Sequence, residues 1–218
     1  MQVMILAAGR GERLRPLTDT TPKPLLQVKG QPLIVHHLRR LCAAGFTEAV
    51  INVSWLGDII KDHLGDGSEH GIRIRYSDES QGALDTGGGI FRALPLLGEQ
   101  PFLVVNGDIY TDFPFASLQS TLQDGDLAHL VMVRNPADHP QGDFHLSSAG
   151  RLHAAGAPCL TYSGIGVYHP QFFRHCAPGR FPLLPWLQKA LRAGVVSGQL
   201  YNGLWTDIGT PQRLDALK

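Results

Sequence analysis

Two nearly uninterrupted apolar runs, QVMILA at 2–7 and PFLVVNGD at 101–108, each lead into a turn that contains glycine. A strand that is apolar on both sides must be covered on both faces, which is the situation of a parallel sheet between two layers of helix. The stretch between them alternates accordingly. Residues 32–44 carry Ile34, Leu38, Leu41 and Cys42 at helical spacing, with Pro32 near the start and Gly45 just past the end. EAVINVS at 48–54 reads as a strand, LGDIIKDHL at 56–64 as a short helix, and IRIRYS at 72–77 as a strand. TGGGIFRALPLL at 86–97 reads as a helix with a glycine-rich start. This order predicts an α/β, Rossmann-like, mostly parallel sheet flanked by helices.

Residues 1–112 form the first half of this plan. In the second half, 113–218, a strand is expected at 127–134, a hairpin around Gly150, a strand at 159–169 and a helix at 182–194. A strand and turn follow at 201–209, and Thr210 caps a last helix that has Pro211 at its first position. The second half is thus smaller and mixed. No stretch is rich enough in Pro, Gly or Ser to mark a linker, so 218 residues read as a single domain.

Charge and cysteine content narrow the function. Lys and Arg number 19, as do Asp and Glu, which excludes the basic excess of a general nucleic-acid binder. The three cysteines, Cys42, Cys159 and Cys176, are widely spaced and suit a reducing compartment. No apolar run approaches the roughly 20 residues of a membrane helix, and the run at 3–8 is too short for a signal-peptide core. The expectation is a cytoplasmic protein without a membrane or nucleic-acid partner.

The loop after the first strand carries the chemistry. LAAGRGERLRP, residues 6–16, places Arg10, Arg13 and Arg15 among small residues, and Lys23 follows in TPKPLL. Ligands of open parallel sheets bind beyond the carboxyl ends of the strands, where this loop begins. Gly9 and Gly11 let backbone amides approach an anion, and Arg and Lys add the countercharge. The pattern is not a dinucleotide fingerprint, because Leu14 stands where the third glycine belongs, and no G-K-[ST] follows to make a P-loop.

The whole stretch from Leu6 to Thr18, with P22-K-P24 after it, resembles the sugar-nucleotidyltransferases. These couple a sugar 1-phosphate to a nucleoside triphosphate and release pyrophosphate. Further pieces recur in order: Glu79 and LDTGGG at 84–89, VVNGD at 104–108, QGDF at 141–144 and WTDIGTPQRL at 205–214. The resemblance implies a nucleotide site of Ala8, Gly9, Gly11, Glu12, Arg13, Lys23, Glu79, Thr86, Gly87 and Asn106. Arg13 would hold the β- and γ-phosphates, and Lys23 the α-phosphate. The glycine-rich helix start would offer free amides to the carbonyl oxygens of a base. The resemblance places the sugar at Asn106, Gly142, Asp143 and Tyr162; the Glu-Lys-Pro found in many members is absent.

The implied reaction joins two anions, so positioning and charge neutralisation dominate. That points to Mg²⁺, with Asp108 and Asp207 as its carboxylates and as catalytic residues beside Arg13 and Lys23. Asp207 is expected to face the open cleft. The ten histidines have no metal-ligand spacing, and the three tryptophans read as core or pocket wall. The short chain and its ALDTGGGI variant most resemble members that use UTP and N-acetylmuramate 1-phosphate in cell-wall recycling. Guanylyl transfer to mannose 1-phosphate is the alternative, and an inactive nucleotide-binding regulatory module a third reading. Homo-oligomerisation is left open.

Overall fold

The computed structural model describes residues 1–217. The first half runs β1 (Gln2–Leu6), α1 (Leu17–Thr20), β2 (Gln27–Val28), β3 (Gln31–Pro32), α2 (Leu33–Ala43), β4 (Glu48–Val53), α3 (Gly57–Leu64), β5 (Arg73–Asp78), α4 (Asp85–Leu97) and β6 (Phe102–Asn106). The second runs β7 (Ile109–Thr111), β8 (Ala128–Val133), β9 (Phe144–Leu146), β10 (Leu152–His153), β11 (Cys159–Tyr168), α5 (Leu184–Arg192), β12 (Val196–Tyr201), β13 (Trp205–Asp207) and α6 (Pro211–Asp215).

β6, β1, β4 and β5 lie side by side and all parallel. β11 then pairs antiparallel with both β6 and β8, and β8 pairs parallel with β12. One nine-stranded sheet therefore crosses the boundary at residue 112. The apolar runs explain its two-sided burial. Val3 and Ile5 pack with α2 on one face, while Met4 packs with α4 and α5 on the other. Successive strand side chains point to opposite faces, so a strand in this position has no polar side to spare.

A third, smaller cluster ties the loop after β1 to the segments around α2 and α6. Leu14, Leu26, Val28, Leu33, Tyr110, Ile208 and Leu214 are buried together. Leu14, the residue that breaks the dinucleotide pattern, thus pins the arginine-rich loop onto the end of the chain. Burying a side chain of this size contributes roughly 1.5–3 kcal/mol.

Some elements differ from expectation. Pro32 ends β3 and precedes α2 instead of opening the helix. The strand and turn expected at 201–209 shrink to β13, and β12, which ends at Tyr201, is a strand not expected from the sequence. β12 is VSGQLY, whose Gly and polar residues hide its strand character. β7 is only three residues long and follows Asn-Gly-Asp directly, so its pairing with β13 is set by tertiary contact.

Candidate active site

Two cavities open at the carboxyl ends of the parallel strands. The first, about 380 Å³, is lined by Ala8, Gly9, Gly11, Glu12, Arg13, Lys23, Glu79, Thr86, Asn106 and Asp108, among others. The second, about 300 Å³, is lined by Val104, Phe144, Tyr162, Leu183, Leu184 and Leu187, with Asp85 and Asp143 as its charges. Leu6, Asp85, Thr86 and Asn106 belong to both, so the two chambers join.

The loop at 8–16 is shaped by its glycines and by Thr18. Gly11 has φ +71°, and a Cβ there would lie 2.9 Å from the Thr18 methyl. The Thr18 hydroxyl donates to the Gly11 carbonyl at 2.9 Å. Of the three arginines, only Arg13 lines the cavity. Arg10 stacks 4.5 Å above the Trp55 ring and pairs with Glu12, and Arg15 pairs with Asp19 at 2.8 Å. Trp55 therefore stacks an arginine and also donates to the Thr18 carbonyl at 3.0 Å.

Lys23 is nearly buried, 9% exposed, and its Nζ lies 2.6 Å from Asp108 Oδ2. Asp108 sits in the turn after β6. Gly107 is required before it, because a Cβ there would lie 2.5 Å from the Leu6 carbonyl oxygen. Ile208 N–H donates to the Asp108 carbonyl at 2.7 Å, so pairing of β7 with β13, with Asp207 opposite Ile109, brings Asp207 next to the turn that carries Asp108. Asp207 departs from the expectation of an open position. Its carboxylate is held by Arg213 of α6, and it does not line either cavity. Arg213 also pairs with Asp138, tying α6 to the loop before β9. Arg13 and Asp207 both approach Gly209, whose Cβ position would be 2.8 Å from Asp207 Oδ2 and 3.0 Å from Arg13 Nη2.

The glycine-rich start of α4 works differently from the expected set of free amides. Thr86 N–H is taken by the Asp85 carboxylate at 2.7 Å and Gly88 N–H by the Phe181 carbonyl at 3.0 Å. Each glycine permits a close approach. A Cβ would fall 2.6 Å from the Phe181 ring at Gly87, 2.3 Å from the Gly179 carbonyl at Gly88, and 2.7 Å from Glu79 Oε1 at Gly89. Gly87 is buried and lines neither cavity. Glu79 lines the first cavity, yet both its carboxylate oxygens already accept bonds, from Asn52 and from the Leu84 N–H.

In the second cavity Asn106 packs over Gly164, at the β11 bulge where a Cβ would be 2.5 Å from its side-chain nitrogen. Asp143 lines the chamber and accepts from Tyr162 N–H at 2.8 Å. The Tyr162 hydroxyl is turned away, bonded to the Tyr168 hydroxyl at 3.0 Å, and burial pushes its pKa up. Gly142 lies outside both cavities; its φ of +65° and a Cβ position 2.7 Å from the Asn135 side chain explain the glycine. Asn52, Asp85 and the α5 leucines are site residues that the sequence reading missed. Asp85 has φ +63°, a rare conformation for a residue with a side chain, and nothing local in LDTGGG signals it.

The histidines play structural parts where the geometry is clear. His37 is buried in α2, and burial pushes its pKa down to about 4, so it stays neutral. Among the described residues, no group of three or more His, Cys, Asp or Glu side chains is gathered as for a metal. No helix there is long and apolar enough to cross a membrane.

A family model described as nucleotidyl transferase matches residues 2–144. The chain is 56% identical to the N-acetylmuramate alpha-1-phosphate uridylyltransferase of Neisseria meningitidis serogroup B, over 98% of this chain and 95% of the relative. It is 39% identical to the protein of that name from Caulobacter vibrioides, over 96% of this chain and 92% of the relative. The fold matches the crystal structure of HddC from Yersinia pseudotuberculosis complexed with GMP-PN, with a TM-score of 0.83 at 22% identity, over 99% of this chain and 97% of that one. The arginine-rich loop, the paired lysine and aspartate, and the sheet that carries them are thus those of a chain that belongs to the nucleotidyl transferase family.

Proposed function

We propose that this chain transfers a uridylyl group from UTP to a sugar 1-phosphate, N-acetylmuramate 1-phosphate, giving the UDP-sugar and pyrophosphate. The observation that carries this reading is the convergence of Arg13, Lys23 and Asp108 on one cavity that opens through Asn106 into a second. The choice of base and sugar draws on the similarity to the two uridylyltransferases. The place of the reaction is cell-wall recycling in the cytoplasm, in keeping with three free cysteines.

The triphosphate lies in the first cavity, against the amides of Ala8, Gly9 and Gly11, with Arg13 at its β- and γ-phosphates. The sugar lies in the second, against Asn106 and Asp143. That chamber is lined by two carboxylates and, among the described residues, no Lys or Arg. The sugar phosphate must therefore turn toward Lys23. Its second pKa is about 6, so it attacks as an anion without a strong base. A phosphate oxygen bonds to the α-phosphorus, the bond from that phosphorus to the bridging oxygen breaks, and pyrophosphate leaves with the electron pair. Lys23 meets the charge that grows at the α-phosphoryl oxygens, a cation of most value in the transition state.

For Mg²⁺ the candidate carboxylates are Asp108, in the turn before β7, and Asp207, at the end of the neighbouring β13, with the remaining positions left to phosphate and water. Asp108 and Asp207 would hold it, and it would supply neutralisation of phosphate charge. This requires release of Asp108 from Lys23 and of Asp207 from Arg213. The test is incubation with Mg²⁺, each nucleoside triphosphate and a panel of sugar 1-phosphates, with pyrophosphate as readout. UTP with N-acetylmuramate 1-phosphate should be the best pair. Preference for GTP with mannose 1-phosphate would move the assignment to guanylyl transfer, and turnover of no pair would overturn it.

A further inference from the structure

Beneath the first cavity runs a hydrogen-bonded chain that the proposed reaction does not use. Ala7 N–H donates to Asn52 Oδ1 at 2.8 Å, and Asn52 Nδ2–H donates to Glu79 Oε1 at 2.7 Å. From the other end, Leu84 N–H donates to Glu79 Oε2 at 2.9 Å. Asn52 is 3% and Glu79 2% exposed. The backbone of Glu79 is fixed as well, its N–H bonded to the Val53 carbonyl at 2.8 Å and its carbonyl to the Ser54 hydroxyl at 3.1 Å. The chain links the ends of β1, β4 and β5 to the turn that opens α4.

Its polarity is set by its ends. Both terminal groups, Ala7 N–H and Leu84 N–H, are donors. An amide side chain offers one donor and one acceptor along such a path, so the other member must accept on both sides. A carboxylate, with two acceptor oxygens, does so. A glutamine at 79 would set a donor against a donor. α4 leaves room for the arrangement, because a Cβ on Gly89 would lie 2.7 Å from Glu79 Oε1 and 3.0 Å from Asn52 Nδ2.

We propose that Asn52 and Glu79 are positioning residues that hold the start of the phosphate loop, Ala7 to Gly9, at a set distance from the turn at Leu84 to Thr86. A nucleotide bound in the first cavity touches both segments, the loop with its phosphates and the turn with its base. The link therefore acts on nucleotide affinity, not on the phosphorus chemistry. The proposal rests on the reading of the first cavity as the nucleoside triphosphate site.

The test is an exchange of polarity. Glu79→Gln places a donor against a donor, and Asn52→Asp sets two carboxylates against each other. The double variant Asn52→Asp/Glu79→Gln restores the path in reverse: the new carboxylate accepts from Ala7 N–H and from the new amide, whose carbonyl accepts from Leu84 N–H. Wild type is first titrated with each nucleoside triphosphate, and the variants with the one it binds, at a temperature where circular dichroism shows every protein folded. Each single variant should lose roughly tenfold in nucleotide affinity, the scale of one unsatisfied buried polar group. The nucleotide KM should rise while kcat stays within a few-fold. The double variant should recover to near wild type. Gly89→Ala, which crowds the carboxylate without changing the donors, is the milder probe should a single variant fail to fold, and it too should weaken nucleotide binding. Single variants that melt earlier but bind as wild type would make the chain purely structural, and losses that multiply in the double variant would overturn the polarity argument. Binding of a triphosphate other than UTP overturns the uridylyl reading alone, and binding of none overturns both.

Discussion

The two chambers of the site are built from different material. The first is made of backbone: strand ends, glycines in close approach, and two cations, Arg13 and Lys23, from a loop and a turn within one short segment. The second is made largely of side chains from β6, β9, β11, α4 and α5, mostly apolar but with Thr86, Asn106 and the carboxylates of Asp85 and Asp143. The difference follows from what each is proposed to hold. Phosphates are alike in every nucleotide and are met well by amides and fixed cations. A sugar differs from its competitors by its substituents, which only side chains of particular shape can distinguish.

Substitution of the two candidate metal carboxylates, beside the first chamber, should have the largest effect. Asp108→Asn and Asp207→Asn should each lower kcat at least about a hundredfold, the scale of a lost electrostatic transition-state contact. If the two share one Mg²⁺, the double variant should be little worse than either single one, and pyrophosphate assays that show the losses multiplying would separate their roles. Asp207→Asn should also melt somewhat below wild type without ligand, because it gives up the pairing with Arg213. EDTA should abolish turnover and Mg²⁺ restore it; full activity in metal-free buffer would remove the metal from the scheme.

Lys23 and Arg13 sharpen the contrast inside the first chamber. Lys23→Met, which keeps the buried stem and removes the charge, should act on kcat by about a hundredfold and little on the UTP KM. Arg13→Ala should act on binding, lowering UTP affinity by roughly ten- to a hundredfold, as for a lost hydrogen bond to a charged group. Calorimetry and steady-state kinetics on both decide it, and an exchange of these two signatures would exchange the roles.

Leu184 tests the second chamber with the smallest expected change. It is half exposed at the first turn of α5, so Leu184→Ser should leave the fold intact. The KM for the sugar phosphate should rise a few-fold with UTP affinity unchanged, the scale of one partly buried apolar side chain. Equal loss of UTP affinity would show that the chambers are not separate.

The legibility of the site in the sequence divides along the same line. The loop at 6–16 and Asp108 lie within a few residues of a strand end that the hydrophobic pattern identifies, whereas Lys23 lies well beyond the first strand and, like Asn106, took its role from the family resemblance. Glu79 was readable by position but not by role, since its task depends on Asn52, 27 residues away on another strand. Gly87 and Gly142 were read as ligand contacts and are packing glycines, because a glycine that approaches a ligand and one that approaches Phe181 or Asn135 look the same in a sequence.

By itself the sequence determined the parallel half of the sheet, since strands apolar on both sides can be buried only between two layers. It also determined the chemical character of the first chamber, since small residues and cations in one contiguous loop need no distant partner to meet an anion. The tertiary structure decided what distant segments do together. It brought Asp207 beside Asp108 through β7 and β13 and gave it to Arg213, it turned the Tyr162 hydroxyl inward, and it assembled the second chamber from strands and helices of both halves of the chain. The physical reason is range. Burial and backbone approach are imposed by neighbours in the chain, whereas the partner of a polar side chain is whichever group the packed sheet delivers.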